Sequence, residues 1–214
     1  MEKQEIWKYI DHTLLKAAAS WAEIEKLCDE ALRYGAASVC VPPSFVARIG
    51  AAYGEKLPVC TVIGFPLGYQ TSRVKTAEAR EAVLDGAREI DMVINLGLVK
   101  DKNFDAVTAE IASVREALSG KILKVIVETC YLDEREKIAL CGAVTKAGAD
   151  YIKTSTGFGS GGAALDDVQL FAAHIGPAVK IKAAGGITTL EAVTAFIEAG
   201  CSRIGTSRGV QLLC

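Results

Sequence analysis

The chain has 214 residues, 50% of them hydrophobic, and a formal net charge of −2 from 24 basic and 26 acidic residues. That length supplies one large core and no comfortable second domain, and the even mixing of charge excludes a nucleic-acid stripe or a disordered acidic tail. No apolar run is long enough to cross a bilayer, the opening MEKQEIWKYIDHTLLK lacks the apolar segment of a signal peptide, and seven scattered cysteines without a C-x-x-C pair read as reduced, mostly buried thiols of a cytoplasmic protein.

Short Val- and Ile-rich runs alternate with helical patterns along the whole chain. The first strand is read over YIDHTLL from Tyr9. Ser20 and Glu23 then form a capping box. Ile24, Leu27, Cys28, Ala31 and Leu32 make one apolar face, and Gly35 ends that helix. SVCV from Ser38, VCTVI from Val59, IDMVIN from Ile90 and LKVIVET from Leu123 follow as strands two to five. Asp133 with Glu136 opens another helix. YIKT from Tyr151 is strand six and VKIKAA from Val179 is strand seven. Thr188 with Glu191 opens a helix whose stripe is Leu190, Val193 and Ile197, and RIGTS from Arg203 is strand eight.

Strands that alternate with helices imply a parallel sheet, and eight such units predict a single-domain (β/α)8 TIM barrel over residues 1–214. The alternative is an open doubly wound sheet. That fold expects a G-x-G-x-x-G loop after the first strand, and the residues after Leu15 carry no such loop.

In a barrel the active site lies at the C-terminal ends of the strands. The polar residues there are Asp11 on strand one, Cys40 on strand two, Asp91 and Asn95 on strand four, and Glu128 on strand five. Strand six ends IKTSTG and strand seven ends KIKAAGG. Alternation puts Ile181 toward the helices and both Lys180 and Lys182 toward the interior. Lys153 alternates with Ile152 in the same way. One barrel mouth then holds Lys153 and Lys182 on adjacent strands, with Asp91 two strands away and one or two residues into its own strand, below the lysine heads.

A lysine amine attacks a carbonyl only when it is neutral, and apolar walls and a neighbouring ammonium both favour that form. Lys182 supplies the second charge, and Asp91 balances it and moves protons. The competing reading is a structural ion-pair network inside the barrel. Cys40 faces either the mouth or the underside of the helix layer. For a phosphate, the loops after strands seven and eight are the usual barrel site. Gly185, Gly186, Gly205, Thr206 and Ser207 expose backbone N–H groups there, Thr156 and Gly157 complete the cradle, and Arg208 pairs the phosphate or faces water. Ordinary tight turns are the alternative.

The stretches YIDHTLLK, SVCVPPSF, VIGFPLG, EIDMVIN, LKVIVET, ADYIKTSTGFG, KIKAAGGI and SRIGTSRG resemble, in order and over almost the whole chain, the deoxyribose-phosphate aldolase family. The resemblance implies a class I, Schiff-base aldolase on a (β/α)8 barrel. It implies reversible cleavage of 2-deoxyribose 5-phosphate to acetaldehyde and glyceraldehyde 3-phosphate. The family's Schiff-base lysine falls on Lys153, its second lysine on Lys182 and its proton-relay aspartate on Asp91. Its active-site cysteine falls on Cys40 and its early aspartate on Asp11. The family needs no metal or organic cofactor, and its members are commonly dimers or tetramers. Two departures concern the phosphate: Arg208 replaces a second small residue of many members, and Phe158 stands where some carry a lysine. The chain also stops soon after strand eight. Two other functions compete: another sugar-phosphate barrel enzyme, of the isomerase type, and a non-catalytic sugar-phosphate-binding barrel.

Overall fold

The computed structural model describes residues 1–214. Eight parallel strands follow one another around a closed barrel: β1 (Ile10–Thr13), β2 (Ser38–Val41), β3 (Val59–Ile63), β4 (Glu89–Val93), β5 (Ile122–Ile126), β6 (Tyr151–Lys153), β7 (Lys180–Ala184) and β8 (Cys201–Thr206). β8 pairs back to β1, with Asp11 opposite Gly205. The helices are α1 (Lys3–Ile6), α2 (Trp21–Tyr34), α3 (Val46–Tyr53), α4 (Ser72–Leu84), α5 (Leu96–Lys100), α6 (Phe104–Ala117), α7 (Glu134–Lys146), α8 (Leu165–His174), α9 (Leu190–Glu198) and α10 (Gly209–Leu213). The (β/α)8 barrel expected from the alternation is the architecture found.

The two faces of each strand have opposite chemistry. Outward residues such as Val39, Ile90, Leu123, Ile152, Ile181 and Ile204 are buried under the helices in one core of 46 buried residues. Full burial of each such side chain contributes roughly 1.5–3 kcal/mol. The inward phase is Asp11, Cys40, Cys60, Asp91, Lys124, Lys153 and Lys182, all buried. Barrel interiors are usually filled by branched aliphatic side chains. Here the middle of the axis is filled by charge instead.

Local signals set the helix ends. Ser20 and Glu23 cap α2 reciprocally, and Gly35 ends it in the left-handed conformation at φ 73°. Asp133 and Glu136 do the same at the start of α7. Leu32 is 40% exposed, outside the arc that Ile24, Leu27, Cys28 and Ala31 bury. The start of α9 differs from the expectation: Thr189, not Thr188, accepts from the Ala192 amide as N-cap. The helix therefore begins one residue later, and its buried positions are Val193 and Phe196 rather than Leu190 and Ile197. Asn95 caps α5 through Gly97 and Leu98, so its side chain is committed to the helix and not to the barrel mouth.

Candidate active site

Lys153 ends β6, and Lys182 stands opposite it in register on β7. A register shift in the β7–β8 pairing between Ile181 and Lys182 brings Lys182 opposite Arg203. Asp91 on β4 pairs with Lys124 on β5. All belong to the inward phase, so their side chains meet on the barrel axis. Asp91 Oδ2 accepts from Lys153 Nζ at 2.7 Å and from Lys182 Nζ at 2.6 Å. Asp91 Oδ1 accepts from Lys124 Nζ at 2.9 Å and from Cys60 Sγ at 3.2 Å. Asp91 was expected below the lysine heads; long lysine stems bend back to it from three strands.

The network continues toward the barrel floor. Lys182 also pairs with Asp11, Lys124 pairs with Glu89 at 2.6 Å, and Arg203 joins Asp11 and Glu89 at 2.5 and 2.8 Å. Four cations and three carboxylates form one connected cluster. Burial opposes the charges on Asp11 and Asp91, but Lys124 with Lys182, Lys153 and Arg203 around them holds both carboxyls below the usual range. Burial likewise opposes the Lys124 and Lys182 ammoniums, and the facing carboxylates outweigh it and hold both above the usual lysine range. These groups are charged at neutral pH because each offsets the desolvation of its partners.

Lys124, Glu89, Arg203 and Cys60 are members that reading the strand ends missed. They lie in the middle and lower layers of the barrel. Lys124 carried the same signal as Lys153, a lysine between apolar neighbours Leu123 and Val125 in a buried strand. Lys180, expected inside, is exposed and lies over the Tyr151 ring at 5.8 Å. It is the first residue of β7 and sits at the open lower rim, where its ammonium stays in water. Cys40 is 0% exposed and faces the interior with Cys60 and Val62, not the helix layer. The Cys60 thiol beside it draws Cys40 below its ordinary thiol range, while burial pushes Cys60 well above its own.

A cavity of about 240 Å³ opens above Lys153. Its walls are the residues after β1 (Thr13 to Lys16), Thr156 to Phe158, Ala184 to Thr188, and Gly205 to Arg208. Lys153, only 3% exposed, is the one member of the charged cluster that lines it. The expected cradle residues do not all act alike. Gly185 and Gly186 have φ of 87° and 73°, a region that costs an L side chain. Their amides and that of Ser207 donate to no backbone carbonyl. Gly205 pairs with Asp11 and clears space: a Cβ there would lie 3.3 Å from Lys182 Cε. The Thr206 hydroxyl is committed to the Ile187 carbonyl and accepts from the Arg208 amide. Thr156 is committed to Glu128 through both its amide and its hydroxyl. Gly157 remains on the cavity wall at φ 85°, and Phe158 meets Phe65 edge-on at 5.3 Å. Arg208 is exposed at the cavity rim.

The family model described as DeoC/LacD family aldolase matches residues 6–212. A protein of Clostridium botulinum named deoxyribose-phosphate aldolase is 59% identical over 213 residues, covering 100% of this chain and 96% of that one. One of the same name from Clostridioides difficile is 51% identical, covering 97% of this chain and 95% of that one. The solved tetrameric deoxyribose phosphate aldolase of Aeropyrum pernix superposes with a TM-score of 0.92 at 33% identity, over 99% of this chain and 91% of that one. A family model matched over residues 6–212, with relatives matched from end to end, places the chain in the DeoC/LacD family of aldolases, carbon–carbon lyases.

Proposed function

We propose that the chain cleaves 2-deoxyribose 5-phosphate reversibly to acetaldehyde and glyceraldehyde 3-phosphate through an imine on Lys153. One observation carries this reading. Lys153 has a single carboxylate partner, Asp91, whereas Lys124, Lys182 and Arg203 each have two or more. With four cations against three carboxylates, the cluster is neutral when one lysine gives up its proton. Lys153 is the member that loses least by doing so, and it is the one that meets the cavity.

The free amine attacks the C1 aldehyde of the open-chain sugar, and loss of the carbinolamine hydroxyl as water, with a proton passed from the Lys182 ammonium through Asp91, leaves an iminium. As the C2–C3 bond breaks, its electron pair moves into the iminium and the C3 hydroxyl proton leaves to a base. Glyceraldehyde 3-phosphate departs. The enamine takes a proton at C2, and hydrolysis returns the amine and acetaldehyde. Asp91 Oδ2 touches both Lys153 and Lys182, so protons have a hydrogen-bonded route between them at 2.7 and 2.6 Å. Lys182 stays charged, which supplies a proton donor and repels a charge on Lys153. The amides of Gly157, Gly185, Gly186 and Ser207, with Arg208 at the rim, receive the phosphate. Asp11 holds Lys182, and Cys40 lines the interior below the reacting carbons. No step in this reading needs a metal or an organic cofactor.

The test is borohydride reduction in the presence of acetaldehyde, read by peptide mass spectrometry. An ethyl group is expected on Lys153, and Lys153→Ala should lose both label and turnover. A label on Lys182 would exchange the two roles. No label on either lysine would overturn the imine mechanism. The relatives also support self-association, since the Aeropyrum pernix protein is tetrameric. Sedimentation velocity is expected to give a dimer or tetramer, and a monomer at micromolar concentration would refute that. Seven free cysteines support a reducing, cytoplasmic setting, and no helix is long and apolar enough to cross a membrane.

A further inference from the structure

Glu128 lies just past β5, is 2% exposed and has a left-handed backbone at φ 54° and ψ 68°. Such a conformation is uncommon for a residue other than glycine and persists where the surroundings over-determine it. Its carboxylate crosses to the loop after β6. Both oxygens accept from the Thr156 amide, at 3.1 and 3.3 Å, and the Thr156 hydroxyl donates to Oε2. Thr156 Oγ1 in turn accepts from the Phe158 amide at 3.0 Å. One carboxylate therefore orders Thr156 and Phe158 and aims Gly157 between them.

Of the glycines that follow, Gly159 lies flat on the same turn and Gly162 on the loop after β7. A Cβ at Gly159 would come 3.0 Å from Cys130 Sγ and 3.1 Å from Glu128 Cδ, and one at Gly162 would come 2.3 Å from the Gly185 carbonyl oxygen. The Ala163 amide donates to that same oxygen at 3.0 Å. The Glu128 turn thus underlies the loop after β6, which in turn braces the loop after β7. We propose that Glu128 is a positioning residue that sets recognition of the substrate phosphate by ordering these two loops through Thr156. This rests on the reading above that the phosphate occupies them.

Glu128→Ala should raise KM for 2-deoxyribose 5-phosphate roughly ten- to a hundredfold, the scale of effect that misplacing a binding group has. KM for unphosphorylated 2-deoxyribose, and the rate of acetaldehyde trapping on Lys153, should stay within about twofold. Glu128→Gln keeps an acceptor for the Thr156 amide and should recover most of the loss. Thr156→Val should reproduce the KM rise, and adding it to Glu128→Ala should change little more. An unchanged KM for the phosphorylated sugar in Glu128→Ala would overturn the proposal. So would a fall in trapping that parallels the fall in turnover, because that places Glu128 with the lysines. If circular dichroism shows that Glu128→Ala does not fold, the same comparison is read from Glu128→Gln and Thr156→Val, and equal KM values there would overturn it. A wild-type enzyme with no preference for the phosphorylated sugar would instead refute the phosphate site itself, and the proposal with it.

Discussion

Removing the Lys182 ammonium takes one positive charge from a network of four cations and three carboxylates. In Lys182→Leu the charge on Lys153 becomes necessary for neutrality. The rate of imine trapping should then climb only at higher pH than in wild type. An unchanged pH profile would mean that Lys182 acts on a substrate oxygen instead. Asp11 tests the same network through stability. Asp11→Asn leaves buried Lys182 and Arg203 each short of one carboxylate and should destabilise by about 3–5 kcal/mol at pH 7, measured by urea unfolding. The Asp11 carboxyl is held below its ordinary value in the folded protein. Its contribution is therefore fully present above the unfolded carboxylate pKa and is lost as pH falls through the folded one. The difference between wild type and Asp11→Asn should shrink below about pH 4. A constant difference down to pH 2.5 would contradict this sign. Arg208 stands at the exposed rim, so water screens it. Arg208→Ala should lower the kcat/KM preference for phosphorylated over unphosphorylated sugar only about three- to tenfold. An unchanged ratio would leave the phosphate to backbone amides alone.

Between elements, the decisive contact outside the barrel axis is a buried ion pair. Lys75 on α4 donates to Glu110 on α6 at 2.9 Å and to the Val93 carbonyl at the end of β4 at 2.8 Å. Glu110 also accepts from the Asn95 amide at 3.0 Å. The pair joins two helices to the exit of β4, and the Lys75 stem packs against Gly64, where a Cβ would lie 2.8 Å from Cε. Burial pulls Lys75 below the usual lysine range, against the opposing pull of Glu110. Glu110→Gln should therefore cost about 3–5 kcal/mol in urea unfolding, because it strands the ammonium. Lys75→Met with Glu110→Leu should recover a large part of that. Equal losses in the single and double variants would show that the polar contacts to Val93 and Asn95 matter more than the charge. Capping was readable locally: Ser20 with Glu23 and Asp133 with Glu136 lie three residues apart, and both boxes form. The Thr188 position failed by one residue, because two adjacent threonines offer the same signal and the course of the preceding glycine loop chooses between them.

At the scale of the molecule, eight short strands alone do not say how high on the axis each inward side chain stands. Strand alternation and the helical runs between strands were sufficient for the barrel, since parallel strands buried on both faces need a crossover helix and eight units close. The motif IKTSTG, with Lys153 after Ile152, was sufficient to mark a buried lysine at the end of its strand, because a lysine in a buried strand must be explained by a partner. Those features are local, and the sequence by itself determined them. The tertiary structure alone decided which groups meet. Asp11, Glu89, Asp91, Lys124, Lys153, Lys182 and Arg203 come from six strands, and the barrel's register sets their heights. It also decided that Thr156 serves Glu128 and that Gly205 makes room for Lys182. The physical reason is that burial makes a charge costly until its partner is in place, and the partner here lies 62 residues away for Lys153 and 91 for Lys182. No local pattern encodes that distance; only closure of the barrel brings the two ends together.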